Sequence, residues 1–224
     1  MNLEYNVIYA ARKTLTITVE RDRSVVVRAP HGTPPEKIDA IVERKKLWLY
    51  EKTRHAQKHD RPLKPREFIS GSTVLYLGRN YRLEIVSEEF DGVLFDQKFL
   101  ISKSSAAQTQ ELLREWYLKK AKEKLTPRAR SYARHMGVRY NDILISDLKY
   151  RWGSCTPKNN LNFNWRLIKA PLRVIEYVVV HELTHLREPN HTADFWAVVR
   201  NQLPDYLKSK EWLKRAGGLL EESP

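Results

Sequence analysis

The sequence contains very little cysteine. Among its 224 residues only Cys155 carries a thiol, so the chain cannot form an internal disulfide or build a cysteine-rich zinc finger. Such sparse cysteine usage is typical of a reducing compartment. We therefore expect a cytoplasmic protein in which any zinc ion is held by histidine, a residue that occurs seven times.

Long apolar runs are also missing. No stretch approaches the roughly 20 consecutive apolar residues that a helix needs to cross a bilayer. The segment from Met1 to Arg12 has no apolar core followed by a cleavage site. Hydrophobic residues nevertheless make up 42% of the chain, which is enough for a folded core. These features predict a globular protein without a membrane-spanning segment.

Acidic residues are too few to balance the basic ones. The chain has 27 Asp and Glu against 40 Lys and Arg, which gives a formal net charge of +13. The densest basic run is opposed only by Glu123, and its members are Lys119, Lys120, Lys122, Lys124, Arg128, Arg130 and Arg134. This run is either a solvated helix face or a surface for phosphate groups, so nucleic acid or a nucleotide is a candidate partner.

Three histidines and a glutamate are closely spaced in the second half of the chain. His181 and His185 are four residues apart, so an α-helix presents both imidazoles on one face. Glu182 lies between them, where its carboxylate can act as a general base toward water at a metal ion. Pro171 suits the start of this helix, and three valines before His181 indicate burial. The pattern is the H-E-x-x-H motif of zinc hydrolases and predicts a zinc site.

The third metal ligand is predicted to be His191. Pro189 disfavours helical geometry at Glu188, and Asn190 tolerates a left-handed turn, so the chain can bring His191 back towards the metal. The spacing from His185 is that of the metzincin motif, although Glu188 stands where that motif has glycine. Each histidine taken alone is more often a hydrogen-bonded core or surface residue, so the prediction depends on the joint pattern. Other candidates for the third ligand are Glu188, Asp194, Asp205 and Glu211.

The N-terminal part, residues 1–103, is predicted to be β-rich with one long helix. Three strand-like segments, Tyr5–Ala10, Thr14–Glu20 and Ser24–Ala29, predict a meander with one buried face. Thr33 is expected to cap a helix that runs to about His55. Two hairpins are predicted after it, formed by Thr73–Leu77 with Tyr81–Val86 and by Val93–Phe95 with Lys98–Ile101.

The C-terminal part, residues 104–224, follows a small, polar stretch at Ser104–Gln110. Helical spacing of apolar residues continues to Pro127, which is expected to end or kink the helix, and Gly137 closes a second helix. Two strand-like runs, Ile143–Leu148 and Leu161–Leu167, precede the H-E-x-x-H helix. The fold class predicted from this order is α+β, with a β-rich N-terminal part followed by a zincin-like domain.

Several motifs occur in a distinctive order along the C-terminal part. They are Arg-Trp-Gly-Ser-Cys at 151–155, Leu-Asn-Phe-Asn at 161–164, the H-E-x-x-H helix, and Asn190-His191 with Phe195-Trp196. In this combination the chain resembles the YgjP-like zinc metallopeptidase family, which is related to SprT-type and WLM proteases. The resemblance implies Zn²⁺ as cofactor, His181, His185 and His191 as ligands, and Glu182 as catalytic base. It also implies that the Trp-Gly-Ser-Cys loop at 152–155 and the strand that follows it form the wall of a cleft, where an edge strand can pair an extended peptide.

The main hypothesis is a zinc-dependent hydrolase, favoured as a metallopeptidase that acts on peptides or proteins. One alternative is a metal-dependent hydrolase of nucleotides or other phosphate esters. Another is a non-catalytic nucleic-acid-binding module with a structural metal, against which Glu182 argues, because a structural site needs no base. Arg151 and Tyr206 are the candidates to stabilise an oxyanion. Cys155 is a candidate nucleophile, but we favour a structural role for it.

Overall fold

The structure is a computed structural model that describes residues 4–20, 24–53, 67–148 and 151–221. The chain forms two compact units, Met1–Lys64 and Pro65–Pro224. Strands and helices occur in both units, so the predicted mixture of α and β structure is confirmed.

The first unit contains a three-stranded sheet in the order β1-β3-β2. Its strands are β1 (Asn6–Ala10), β2 (Thr16–Val19) and β3 (Val25–Pro30). β1 runs parallel to β3, and β2 runs antiparallel to it. The predicted meander is therefore wrong, because a meander would place the second strand in the centre. The central position belongs to β3 because its consecutive valines can be buried on both faces, whereas β1 is largely exposed.

The predicted long helix is divided into two helices, α1 (Pro35–Arg44) and α2 (Lys46–Thr53). The helical path is interrupted at Lys45, whose N–H is shared between two carbonyls of the preceding turn. Thr33 does not cap α1, because its hydroxyl donates to the carbonyl three residues earlier. The predicted end of the helix near His55 lies outside the described residues.

Four strands of the second unit form a sheet in the order β4-β5-β7-β6. Leu77 and Gly78 form the turn between the first two, with φ of 49° and 79°, as a type I′ turn requires. Both predicted hairpins are confirmed, since β4 pairs antiparallel with β5 and β6 pairs antiparallel with β7. The strands are β4 (Thr73–Tyr76), β5 (Arg79–Val86), β6 (Leu94–Phe95) and β7 (Phe99–Ser102).

The longest helix of the described chain, α3, spans Thr109–Met136 and contains Pro127. Of the two predicted effects of Pro127, an end or a kink, the end is wrong, because buried side chains from Leu113 to Ala133 follow one continuous face and offset the local cost of about 3 kcal/mol for proline. Gly137 ends the helix with a φ of 65°, as expected. Neither α3 nor any other helix within the described ranges is long and apolar enough to cross a bilayer.

A second sheet and three helices complete the second unit. The sheet has the order β8-β10-β9, in which β8 is parallel and β9 antiparallel to β10. Helix α4 is the most buried of the helices and contacts α3, α5, α6 and β9. The elements are β8 (Ile143–Ser146), β9 (Gly153–Cys155), β10 (Leu161–Asn164), α4 (Leu172–Thr184), α5 (Ala193–Gln202) and α6 (Tyr206–Glu221).

The compact units divide between Lys64 and Pro65, whereas the boundary predicted from sequence follows Lys103. Strands β4 to β7 belong to the second unit because their apolar side chains share one core with α3 and α4. The start of the hydrolase domain at Ser104 remains a prediction.

Candidate metal centre

The H-E-x-x-H segment forms the C-terminal end of α4. His181 lies in the last turn of the helix, and His185 occupies the C-cap position directly after Thr184. Their ring centroids are 5.0 Å apart. The hydroxyl of Thr184 is fully buried and donates to the carbonyl of Val180 at 2.8 Å, which fixes this last turn. As predicted, one helix face presents both imidazoles.

His191 approaches the same point from the segment between α4 and α5. Thr192 caps α5, since its hydroxyl accepts a hydrogen bond from the Phe195 N–H, and this fixes the chain directly after His191. The Nε2 atoms of His191 and His181 are 3.0 Å apart. One ligand nitrogen from each of His181, His185 and His191 can be chosen so that all lie within 4.8 Å of one another, and no other such group occurs among the described residues.

The other candidates for the third ligand lie outside this cluster. Glu188 contributes its backbone carbonyl, which is 3.3 Å from Nδ1 of His185 and leaves Nε2 of that ring available. Asp194 is exposed in the first turn of α5. Asp205 and Glu211 each form an ion pair with a basic residue of α6.

Burial keeps the central imidazole neutral. Desolvation, followed by the charges of His185, His191 and Lys210, lowers the pKa of His181 to about 3. Phe195 is fully buried and its ring centroid lies within 5.0 Å of those of all three histidines. A neutral imidazole is the form of histidine that binds a metal ion, and the apolar ring of Phe195 packs against all three imidazoles.

Glu182 is buried beside the three histidines, with 6% of its surface exposed. Burial raises the pKa of its carboxyl to about 7, although the charge of Arg151 and a backbone hydrogen bond from Cys155 oppose this shift. Gly153 of β9 comes so close that a Cβ atom there would lie 2.6 Å from Cγ of Glu182. This contact was not predicted from the sequence, although a glycine within a strand pattern signals close approach of the backbone.

An open cleft of about 680 Å³ leads to these groups. Arg151 lines it, whereas Tyr206 does not, because Tyr206 is buried in a stack with Trp196 at 5.4 Å. Cys155 also lines the cleft, but burial and then the nearby Glu182 raise the pKa of its thiol, which disfavours the nucleophilic thiolate. The lining residues are Arg151, Gly153, Ser154, Cys155, Thr156, Pro157, Asn159, His181, Glu182, His185, Leu186, Pro189 and His191.

Asn164 supports the cleft wall through hydrogen bonds. This role was not predicted from the sequence. Its side chain is fully buried, and its Nδ2 donates to the carbonyls of Leu148 at 2.8 Å and Arg151 at 3.4 Å. Its backbone N–H donates to the carbonyl of Trp152 at 2.9 Å. Asn164 therefore ties β10 to the segment that carries Arg151 and leads into β9.

Comparison with known proteins identifies the family. A search of curated proteins gives no match. Among solved structures, the zymogen of the metallopeptidase abylysin from Pyrococcus abyssi aligns at 18% identity over 46% of this chain and 94% of that chain, with a TM-score of 0.33. The model of the YgjP-like metallopeptidase domain matches residues 13–216 and confirms the resemblance read from the motifs. The chain therefore belongs to the YgjP-like metallopeptidase family.

Proposed function

We propose that this protein is a zinc-dependent peptidase in which His181, His185 and His191 hold the metal and Glu182 is the general base. The observation that carries the proposal is the convergence of three imidazoles beside a buried carboxylate at the end of an open cleft. Membership of a metallopeptidase family supports the reaction class.

The donor set fits zinc. Three neutral imidazoles are typical ligands of a catalytic Zn²⁺ ion, with Zn–N distances of about 2.0–2.1 Å and therefore N···N distances of about 3.3 Å in tetrahedral geometry. The Nε2 atoms of His181 and His191 are 3.0 Å apart, so a shift of a few tenths of an ångström brings them to this spacing. Nδ1 of His181 is buried and has no hydrogen-bond partner among the described residues.

The metal, when bound, supplies Lewis-acid activation of water and of the substrate carbonyl. Glu182 takes the proton from the attacking water and passes it to the leaving amine. A carboxyl with a pKa of about 7 suits both steps near neutral pH, because it can be deprotonated and reprotonated there. Arg151 and the backbone N–H of Cys155 stabilise the charged form that must accept the first proton.

Strand β9 supports a peptide as the substrate. It is an edge strand of its sheet, and all three of its residues line the cleft. An extended peptide can pair its backbone with such an edge, which presents a scissile carbonyl to the histidines without requiring a particular side chain. The carbonyl oxygen that gains negative charge then lies within the field of Arg151, our preferred candidate for the oxyanion partner.

The basic run on α3 gives no support to a nucleic-acid partner. Lys120 forms an ion pair with Glu123 at 2.8 Å, and Arg128 lies 3.6 Å from Glu176. Two cations of this basic run are therefore partly neutralised within the protein. Hydrolysis of a nucleotide or another phosphate ester, and a structural metal in a nucleic-acid-binding module, remain alternatives without a structural observation in their favour. A cytoplasmic location remains a prediction from the single cysteine.

Metal analysis and hydrolysis assays test the proposal separately. We expect about one zinc per chain, and most of it should be lost in the His181→Ala/His185→Ala variant and in His191→Ala. His135→Ala is the matched control, because His135 is exposed on α3 and its Nδ1 contacts a backbone carbonyl of that helix. Full metal retention in the double variant would exclude this site.

Glu182→Gln isolates the chemistry from the structure, because the amide keeps the shape of the side chain but removes the base. We expect this variant to retain zinc and to lose peptide hydrolysis. Screening peptides against nucleotides with the wild type identifies the substrate class directly. Hydrolysis of peptides at the wild-type rate by Glu182→Gln would show that this residue is not the base.

A further inference from the structure

Charge is distributed unevenly around the cleft. Glu182 is the one acidic residue among its described lining residues, and the proposed mechanism uses it as the base. Two basic side chains lie at or near the cleft and the histidines. Arg151 lines the cleft beside β9, and Lys210 of α6 places its Nζ 4.1 Å from the ring centre of Trp196, which stacks on His191 at 5.7 Å.

The backbone of Arg151 is held by a hydrogen bond, whereas its side chain is exposed to solvent. Its carbonyl accepts a hydrogen bond from the fully buried Asn164, so the root of the side chain is fixed. The side chain is exposed and forms no ion pair with a carboxylate of the described residues, although its charge lowers the pKa of Glu182. An arginine with this placement offers a planar set of donors to a carboxylate that enters the cleft.

We propose that Arg151 selects substrates with an acidic side chain close to the scissile bond, so that acidic peptides are the preferred substrate class of this site. The inference rests on the proposed peptidase function and specifies its substrate. Lys210 adds a second positive charge near the histidines, which disfavours basic peptides further. The net charge of +13 acts in the same direction, because it attracts acidic chains at long range.

The test uses peptides that differ at one position near the cleavage site, where Glu, Gln or Lys is placed in turn. Binding to the Glu182→Gln variant is measured by fluorescence anisotropy, and kcat/KM is measured with the wild type. Exposed ion pairs contribute up to about a fivefold preference, and a guanidinium hydrogen-bonded to a carboxylate contributes more. We expect the Glu peptide to exceed the Gln peptide by roughly five- to tenfold in both measurements.

Changes at Arg151 identify the residue responsible. Arg151→Gln should reduce the ratio of Glu to Gln peptide to near one, and Arg151→Glu should favour the Lys peptide. Arg139→Glu is the matched control, because Arg139 is exposed outside the cleft lining and its replacement changes the net charge equally. This control should keep the ratio of the wild type.

The outcomes separate the selectivity from the peptidase function. If the wild type hydrolyses or binds Glu and Gln peptides equally, or if Arg151→Gln keeps the preference, Arg151 does not select substrates and the peptidase proposal is unaffected. If Arg151→Gln lowers kcat/KM by the same factor for all three peptides, the residue serves only the oxyanion that they share, and the selectivity is refuted. If the Glu peptide binds preferentially through Arg151 but no peptide is hydrolysed, the recognition is supported and the peptidase function fails.

Discussion

Replacing Gly153 by alanine is expected to displace the base without altering any proposed metal ligand. The added Cβ would lie 2.6 Å from Cγ, 2.7 Å from Oε1 and 2.9 Å from Cδ of Glu182. Carbon atoms in contact prefer separations of about 3.5–4.0 Å, so the two groups must move apart by about 1 Å. Gly153 does not have a left-handed φ, so alanine is compatible with its backbone and the clash is the main effect.

The expected magnitudes follow from this contact. Overpacking a well-packed site costs about 1–3 kcal/mol, and the lower entropy of unfolded alanine returns about 0.4–1 kcal/mol. Gly153→Ala should therefore lower the free energy of unfolding by about 1–2 kcal/mol. A displacement of 1 Å at a catalytic group can reduce the rate by about 10²-fold. Hydrolysis should fall by that factor while zinc content stays near that of the wild type.

A double-mutant cycle measured by urea unfolding tests the cause. In a Glu182→Ala background the opposing atoms are absent, so adding the methyl group at Gly153 should cost almost nothing. Peptide hydrolysis and zinc content are measured on the single variant. An equal loss of stability in both backgrounds, or wild-type hydrolysis by Gly153→Ala, would refute the argument that this contact positions the base.

The remaining predictions concern buried groups near the cleft. In metal-free protein, the stability of Glu182→Gln relative to wild type should rise by about 3 kcal/mol between pH 4 and pH 8, measured by urea unfolding. The reason is that the folded pKa of this carboxyl is raised from 4.5 to about 7, so native wild type loses stability as the pH rises through that window. Asn164→Ala should lower the free energy of unfolding by about 1–3 kcal/mol, because the carbonyls of Leu148 and Arg151 lose their donor; an unchanged urea midpoint would contradict this. Cys155 should react with iodoacetamide more slowly in native than in urea-unfolded protein at pH 8, because its folded pKa is raised; equal rates would exclude the shift.

Local geometry made part of the candidate site predictable. The spacing of His181 and His185 places both rings on one helix face whatever the rest of the chain does. The return of His191 towards them was also predictable, because Pro189 keeps the chain from continuing as a helix and leaves few paths for a short segment, although α4 already ends at Thr184. Gly153 signals a close approach of the backbone, but its contact with Glu182 depends on how β9 packs on α4, and no local pattern encodes that packing.

Two errors in the fold, at Pro127 and in the order of the first strands, have one physical cause, which is burial in the complete structure. Pro127 carries a strong local signal for ending a helix, but the apolar face of α3 continues on both sides of it and packs into the core. The order of the first three strands follows the same principle, since the strand with consecutive valines takes the centre and β1 takes an edge. Neither choice can be made from one segment alone, because each depends on the surfaces available elsewhere.

The turn between β4 and β5 has a consequence for the order of folding. Its N–H groups at Leu77 and Gly78 donate to the carbonyls of Ile168 and Lys169 at 3.0 and 2.8 Å, and a Cβ atom at Gly78 would lie 2.7 Å from Cγ of Pro171 at the start of α4. The turn and its hydrogen-bond partners are separated by some 90 residues of chain. A long loop must therefore close before these bonds can anchor the N-terminal end of α4. Non-local closure of this kind slows folding. The metal centre should therefore mature only after the hairpin has docked, even though its own ligands are neighbours in the sequence.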